Sequence, residues 1–296
     1  MTVETSKPSM LGRGWTSRDL WTLAALLCLS GVAFHRLWTE LALEITRRSD
    51  NGYILIVPGV VVYLAWIRRS RLRYVRRKPS FVGVGIAIMA GGLAWFGAET
   101  DTRIAGHLAA VLSLIACVVT LTGLAVVRHF FPVFLALFFL LPVPGEVRRS
   151  IAGPLQELAV IVTHDVLDLV GVAAEREGIV IVIEGKPILV GEACDGMRMV
   201  FALALTYFAF VFSIPFRPQT RVFLLLVSPF IALFCNLIRL TSTGLAYAYS
   251  TETFAADFHE VAGWMMLPLA IMLVQAIVRF MRWLDLPVYT WRFLQA

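Results

Sequence analysis

The sequence predicts an all-α polytopic membrane protein: about eight transmembrane helices, with one short amphipathic helix and a β-hairpin on the extracytoplasmic side. Three observations predict it. Of 296 residues, 59% are hydrophobic and 16% charged, where a soluble domain carries about 25% charged residues. Apolar runs of spanning length recur along the chain, and mean hydropathy is +0.79. The basic residues lie in short blocks between those runs, so the net charge of +6 reads as a record of membrane orientation rather than as a nucleic-acid footprint.

The apolar runs are 20–43, 53–67, 80–98, 107–127, 130–144, 194–213, 222–249 and 258–283. A spanning helix needs roughly 20 residues, so the second and fifth are short, and the fifth meets Pro142 and Pro144. Residues 1–19 hold Lys7, Arg13 and Arg18. The apolar run that follows is long and lacks a small-residue cleavage site, which reads as a first span rather than a cleaved signal. Without an internal repeat or a low-complexity linker, one domain over 1–296 is the expectation. With the N-terminus placed in the cytoplasm, sixteen Lys and Arg fall on inside segments, seven on outside loops and three in spans. Both termini are therefore expected in the cytoplasm.

The longest outside segment, 145–193, opens after the turn-rich Leu141-Pro142-Val143-Pro144-Gly145. Over 154–172, Leu155, Leu158, Val162, Val166 and Leu169 recur at helical spacing, and Gln156, Glu157, Asp165 and Asp168 occupy other positions. That pattern predicts a helix lying along the membrane surface. Ile179–Ile183 is an unbroken β-branched run; Glu184-Gly185-Lys186-Pro187 and Ile188-Leu189-Val190 follow. A hairpin over 179–190 is expected, and its edge could receive an extended peptide by β-augmentation.

Three polar clusters interrupt the last three runs: Glu192-Ala193-Cys194-Asp195-Gly196-Met197-Arg198, Asn236-Leu237-Ile238-Arg239, and Phe258-His259-Glu260-Val261-Ala262-Gly263-Trp264. Arg239 lies 17 residues beyond Val222, or about 26 Å across a core of about 30 Å. Cys194 and His259 begin spans that start outside. All three are therefore expected at the outer face. The residue types suit acyl transfer. A thiol at a helix N-terminus near a cation ionises more readily. A histidine can take its proton and return it to a leaving amine, and an arginine can hold the thiolate or the developing oxyanion. The same residues also fit an interfacial cysteine, an interfacial histidine and a snorkelling arginine, with Asn236 orienting Arg239 or bonding another helix. Cys28, Cys117 and Cys235 read as buried hydrophobes. No CxxC pair occurs, so neither a zinc site nor a disulfide framework is suggested, and no cofactor is expected. His35, His107, His129 and His164 read as structural, with His107 and His129 at opposite ends of the fourth span.

The segments Ala193–Arg198, Asn236–Arg239 and His259–Gly263 resemble, in order and in membrane placement, the three signature motifs of the exosortase/archaeosortase family. Leu141–Pro144, the Leu155-Gln156 helix, the hairpin before Cys194 and Asn51-Gly52-Tyr53 are also similar to that family, and the resemblance covers roughly 45–283. It implies a membrane transpeptidase or protease of exported proteins that end in a motif, a transmembrane helix and a basic tail. The catalytic residues would be Cys194, Arg239 and His259, supported by Asp195, Arg198, Asn236 and Gly263. Water, or a lipid or glycan acceptor, would release the acyl-enzyme. Two positions depart from the family pattern. Asp195 stands where a small or uncharged residue is usual and would raise the thiol pKa unless Arg198 pairs with it at i,i+3. Asn51 replaces a common histidine. The alternative is a non-catalytic protein of polysaccharide export or transport, for which polar residues at midplane and paired helix breaks would be expected.

Overall fold

Backbone polar groups in hydrocarbon must be satisfied within their own segment, which makes each apolar run a helix. The computed structural model describes residues 17–47, 49–74, 78–183, 186–189 and 196–290. They group into two compact units, 1–142 and 143–296.

In the first unit, α1 (Ser17–Ala33) and α2 (His35–Arg47) together occupy the first apolar run but bend by 73° between them. A 3₁₀ segment leads into α3 (Val57–Ile67). After it come α4 (Phe81–Glu99), α5 (Arg103–Thr122), α6 (Ala125–His129) and α7 (Phe131–Leu137). The Ser80 hydroxyl caps α4 by accepting from the Val82 N–H at 3.2 Å. The tightest helix pair of this unit is α4 on α5. Gly83, Ala90 and Gly97 line the buried side of α4, and a Cβ at Gly83 would stand 2.3 Å from the Thr120 backbone nitrogen. Lipid supplies no hydrophobic drive between helices, so such small residues hold them by letting the backbones approach. The large apolar side chains of α4, Phe81, Ile88 and Trp95, face outward instead. The Ser30 and Ser113 hydroxyls pair at 2.7 Å across α1 and α5.

The second unit opens with α8 (Gly145–Leu169), then β1 (Ala174–Glu177), β2 (Val180–Ile183) and β3 (Lys186–Leu189). It closes with α9 (Gly196–Ser213), α10 (Pro218–Tyr249) and α11 (Glu252–Trp283). α9, α10 and α11 pack together around Leu203, Tyr207, Val211, Ile231, Cys235, Met266, Ala270 and Val274. The segment after α11 returns to the α9–α10 connection: the Arg217 N–H donates to the Val288 carbonyl at 2.9 Å, and Tyr289 stacks on Phe216. α10 and α11 each run 32 residues without interruption past an internal proline, Pro229 and Pro268.

Among the described residues, four helices (α4, α5, α10, α11) are long and apolar enough to cross a bilayer, or five if the bent α1–α2 pair is one span, so eight spans are not borne out. Residues 52–67, 131–140 and 200–213 form shorter apolar helices, which at 1.5 Å per residue fall short of a core about 30 Å thick. The amphipathic helix starts at Gly145, not at 154, and continues through Pro154. Its protein-facing side is Ala159, Val160, Thr163 and Leu167, whereas Leu158 and Leu169 are exposed. The helix is apolar on two sides, and the sequence stripe picked out the unpacked one. The hairpin is one half of a three-stranded antiparallel sheet of order β1-β2-β3; residues 184, 185 and 190 of the expected hairpin lie outside the described residues. β1 reads Ala-Glu-Arg-Glu, too polar to give a strand pattern. It is joined to β2 by Gly178-Ile179, with Gly178 at φ 64°, the positive φ that a II′ turn requires at its first central position. Lastly, α5 ends at Thr122, so His129 belongs to α6 rather than to the far end of the fourth span.

Candidate active site

One face of α10 explains where the site forms. Cys235, Asn236, Arg239, Leu240, Thr243 and Gly244 are all buried, at spacings that return every three or four residues to one side of a helix. Phe230 and Phe234 point the other way. On α11, Ala262, Met266 and Ala270 are buried, while Val261, Trp264 and Met265 are exposed. Apolar bulk therefore faces outward and small or polar groups face the neighbouring helix, which turns His259 and Gly263 toward α10.

There the two clusters meet. The Arg239 Nη2 lies 2.8 Å from the His259 Nε2, and the Thr243 Oγ1 lies 3.3 Å from the His259 Nδ1. Arg239 is 8% and Thr243 3% exposed. A guanidinium has donors only, so in this contact it donates to an unprotonated Nε2. A neutral ring then carries its proton on Nδ1, the nitrogen that faces the Thr243 hydroxyl oxygen. The Ser242 hydroxyl donates to the Arg239 carbonyl at 3.0 Å. Asn236, one turn before Arg239, is buried, and its Oδ1 has no hydrogen-bond partner among the described residues.

Gly263 sits one turn beyond His259. A Cβ there would stand 3.7 Å from the Arg239 Cζ, Nε and Nη2, ordinary contact for one methyl and a collision for anything larger. Gly263→Ala is accordingly expected to keep the Arg239–His259 contact. Gly263→Leu should displace the guanidinium and break the Arg239–His259 contact. The ¹⁵N shifts of His259 compare the two variants; equal shifts would show that the room at Gly263 is immaterial to the contact.

Arg239 is 21 residues beyond the start of α10, roughly 32 Å at 1.5 Å per residue. His259 is 24 residues before the end of α11, roughly 36 Å. Measured from the shared Pro218 and Trp283 end, both residues lie about one core thickness away. The sheet packs close by: a Cβ on Gly244, next to Thr243, would meet the Leu167 side chain of α8 at 2.9 Å and that of Ile183 in β2 at 3.5 Å. Cys194 and Asp195 lie outside the described residues, as does the side chain of Arg198. The α9 helix starts at Gly196, two residues after Cys194, and its Val200 packs against the cluster that holds Cys235 and Met266.

Thr243 is the site residue the sequence reading passed over. Its signal was the Asn236, Arg239, Thr243 spacing on one helix face. The other histidines make local contacts: the Nδ1 atoms of His35 and His129 bond carbonyls of their own helical turns at 2.9 Å, and the His164 Nδ1 lies 3.3 Å from Asp165. His107 is buried in the first unit. Among the described residues no group of three or more His, Cys, Asp or Glu could hold a metal ion.

Neither the curated proteins nor the solved structures gave a match. The family model described as transmembrane exosortase matches residues 38–276. That span runs from within α2 to within α11 and takes in α4, α5, α10, the sheet and the contact between Arg239 and His259. The chain belongs to the transmembrane exosortase family.

Proposed function

We propose that this protein is a membrane cysteine transpeptidase or protease that cleaves C-terminal sorting signals of exported proteins at the outer face of the cytoplasmic membrane, with both termini inside. The observation that carries the reading is the Arg239–His259 contact at 2.8 Å. A buried arginine in a spanning helix is costly, and here it meets a neutral histidine one core thickness from the Pro218 end, beside the helix that begins two residues after Cys194.

The steps follow from those groups. The Cys194 thiol gives its proton to the His259 Nε2, and the sulfur attacks the scissile carbonyl carbon, whose π electrons move to oxygen. Arg239 holds that oxyanion. Collapse breaks the C–N bond, and the Nε2 proton goes to the leaving amine. Water, or a hydroxyl or amine of a lipid or glycan acceptor, then attacks the thioester. It gives its proton to Nε2 as the C–S bond breaks, and the thiolate takes that proton back. The Nε2 lone pair cannot accept a proton while Arg239 donates to it. Proton uptake by His259 and release of Arg239 are thus one event, which frees a guanidinium donor as the oxyanion forms. Mass spectrometry of membranes from cells making the protein tests this reading. A peptide acyl adduct on the Cys194 tryptic fragment is expected, and its absence under conditions where precursor is consumed would sink the cysteine mechanism.

The sheet supports a place for the substrate. The Gly178-Ile179 turn has two residues and closes on the hydrogen-bonded pair Glu177–Val180; pairs then alternate, so Val180 and Val182 turn their backbone groups to β1 and form non-bonded pairs with Leu189 and Pro187 of β3. In β3, Pro187 and Leu189 then point their backbone groups away from β2. Pro187 lacks an N–H, so Leu189 carries the outward donor of this strand. β2 is the middle strand, and a proline at Val182 would damage its pairing with β1. Leu189→Pro is the cleaner change: it should weaken an extended substrate by one backbone hydrogen bond, a rise in KM of roughly 2- to 10-fold. An unchanged KM would remove β3 as the docking edge.

A further inference from the structure

His259 has two ring nitrogens, and the chemistry proposed for it uses Nε2. A neutral imidazole carries its proton on either nitrogen, and its neighbours decide which. Arg239 can only donate, and its Nη2 lies 2.8 Å from Nε2. The Nδ1 proton gains from an acceptor in this half-buried ring. The Thr243 Oγ1 stands 3.3 Å from it.

Thr243 is suited to this duty by its place. It lies on α10, four residues after Arg239 and on the same buried face, so one rigid helix carries the groups that address both nitrogens of one ring. It is 3% exposed, so its hydroxyl is withdrawn from water. Other threonines of these helices spend their hydroxyls on their own backbone: Thr206 donates to the Ala202 carbonyl at 2.8 Å and Thr120 to the Ala116 carbonyl at 2.7 Å. The Thr243 oxygen instead crosses from α10 to α11.

We propose that Thr243 is the positioning residue of this site: its hydroxyl oxygen holds the Nδ1 proton of His259 and so keeps Nε2 as the nitrogen that exchanges protons with Cys194 and the leaving amine. This rests on the functional reading above for the role of Nε2, but the tautomer can be read without any substrate. In this proposal Thr243 acts through His259, the ring its hydroxyl contacts. Removing the oxygen leaves Arg239 alone to favour the Nδ1 tautomer and lets part of the population protonate on Nε2, and those molecules can neither accept from Arg239 nor take the thiol proton.

The test uses the full-length protein, labelled with ¹⁵N-histidine and reconstituted in nanodiscs of phosphatidylethanolamine and phosphatidylglycerol. Loss of a signal in His259→Gln assigns His259 among the five histidines. At neutral pH the wild type should show a protonated Nδ1 and a bare Nε2. Thr243→Ser should keep that spectrum, and the isosteric Thr243→Val should draw the two shifts together. Processing of a co-expressed precursor should fall about tenfold or more in Thr243→Val, part of the roughly 10²–10⁴ that acid–base catalysis contributes, and should recover in Thr243→Ser to within about threefold. A wild-type His259 spectrum in Thr243→Val would overturn the assignment, as would equal impairment of the serine and valine variants. A failure to find acyl-Cys194 would instead remove the protease reading and leave the spectral result standing.

Discussion

Cys194→Ala is expected to abolish precursor processing while the protein still inserts in the membrane and keeps its Arg239–His259 contact. The loss should be roughly 10⁴-fold or more, because removing the nucleophile of a covalent mechanism leaves only binding and oxyanion stabilisation. Cys194→Ser should be nearly as inactive: a serine hydroxyl lacks the low pKa that makes the thiolate the reactive form at neutral pH. The other cysteines supply the contrast. Cys235 is fully buried in the α9–α11 core, and Cys117 donates its thiol to the Leu26 carbonyl at 3.4 Å in the first unit. Replacing Cys28 or Cys117 by alanine should leave processing within about twofold, since both belong to apolar helices of the first unit and small apolar replacements at such positions are usually mild. Immunoblots of precursor and product, with the enzyme's membrane fraction measured in parallel, decide the matter. Processing by Cys194→Ala at even a tenth of the normal rate would end the acyl-enzyme mechanism and move attention to water activated by His259.

The transmembrane part of the architecture was legible because the bilayer imposes a single strong rule. The third, fourth, seventh and eighth apolar runs reappear as α4, α5, α10 and α11 with ends shifted by a few residues. Legibility failed where burial and apolarity part company. In α8 the exposed Leu158 and Leu169 are as hydrophobic as the packed Val160 and Leu167, so periodicity alone could not say which stripe meets protein. β1 is held by its ladder to β2 and by an Arg176–Glu157 ion pair at 3.4 Å, and neither leaves an apolar alternation. The α1–α2 bend falls inside a continuous apolar run.

At the site, the depth arithmetic for Arg239 and His259 relied only on helix rise, and the two side chains do meet. What it could not supply was the direction of each ring nitrogen. Thr243 went unnoticed because a threonine in an apolar helix ordinarily bonds the carbonyl one turn back, and only the facing helix shows that this one does something else. Gly263 was visible as part of a motif; the reason for its size, a guanidinium 3.7 Å from where its side chain would begin, was not.

Arg239 and His259 are expected to fail as a unit. Arg239→Lys keeps the charge but replaces a planar fork of donors by a point ammonium, so it cannot release Nε2 and hold the oxyanion in one geometry. Its turnover should fall roughly 10²–10³-fold, the cost of losing a preorganised oxyanion donor. His259→Gln still offers an oxygen to accept from Arg239 but cannot carry a proton, and should cost roughly 10²–10⁴-fold. Independent groups would multiply these losses in the double variant, since free energies of separate contributions add. Here they should not multiply. Once His259 cannot take a proton, nothing times the release of Arg239, and once Arg239 cannot move to the oxyanion, proton uptake at Nε2 has nothing to stabilise. The double variant is therefore expected to be no slower than the slower single variant by more than about threefold, an interaction of about 2 kcal/mol or more in a double-mutant cycle, within the range seen for residues in contact. Single-turnover rates of the four proteins, measured on the same membrane-inserted precursor, provide the cycle. Multiplicative losses would show that the 2.8 Å contact is a structural tie between α10 and α11, with the arginine and the histidine acting on the substrate separately.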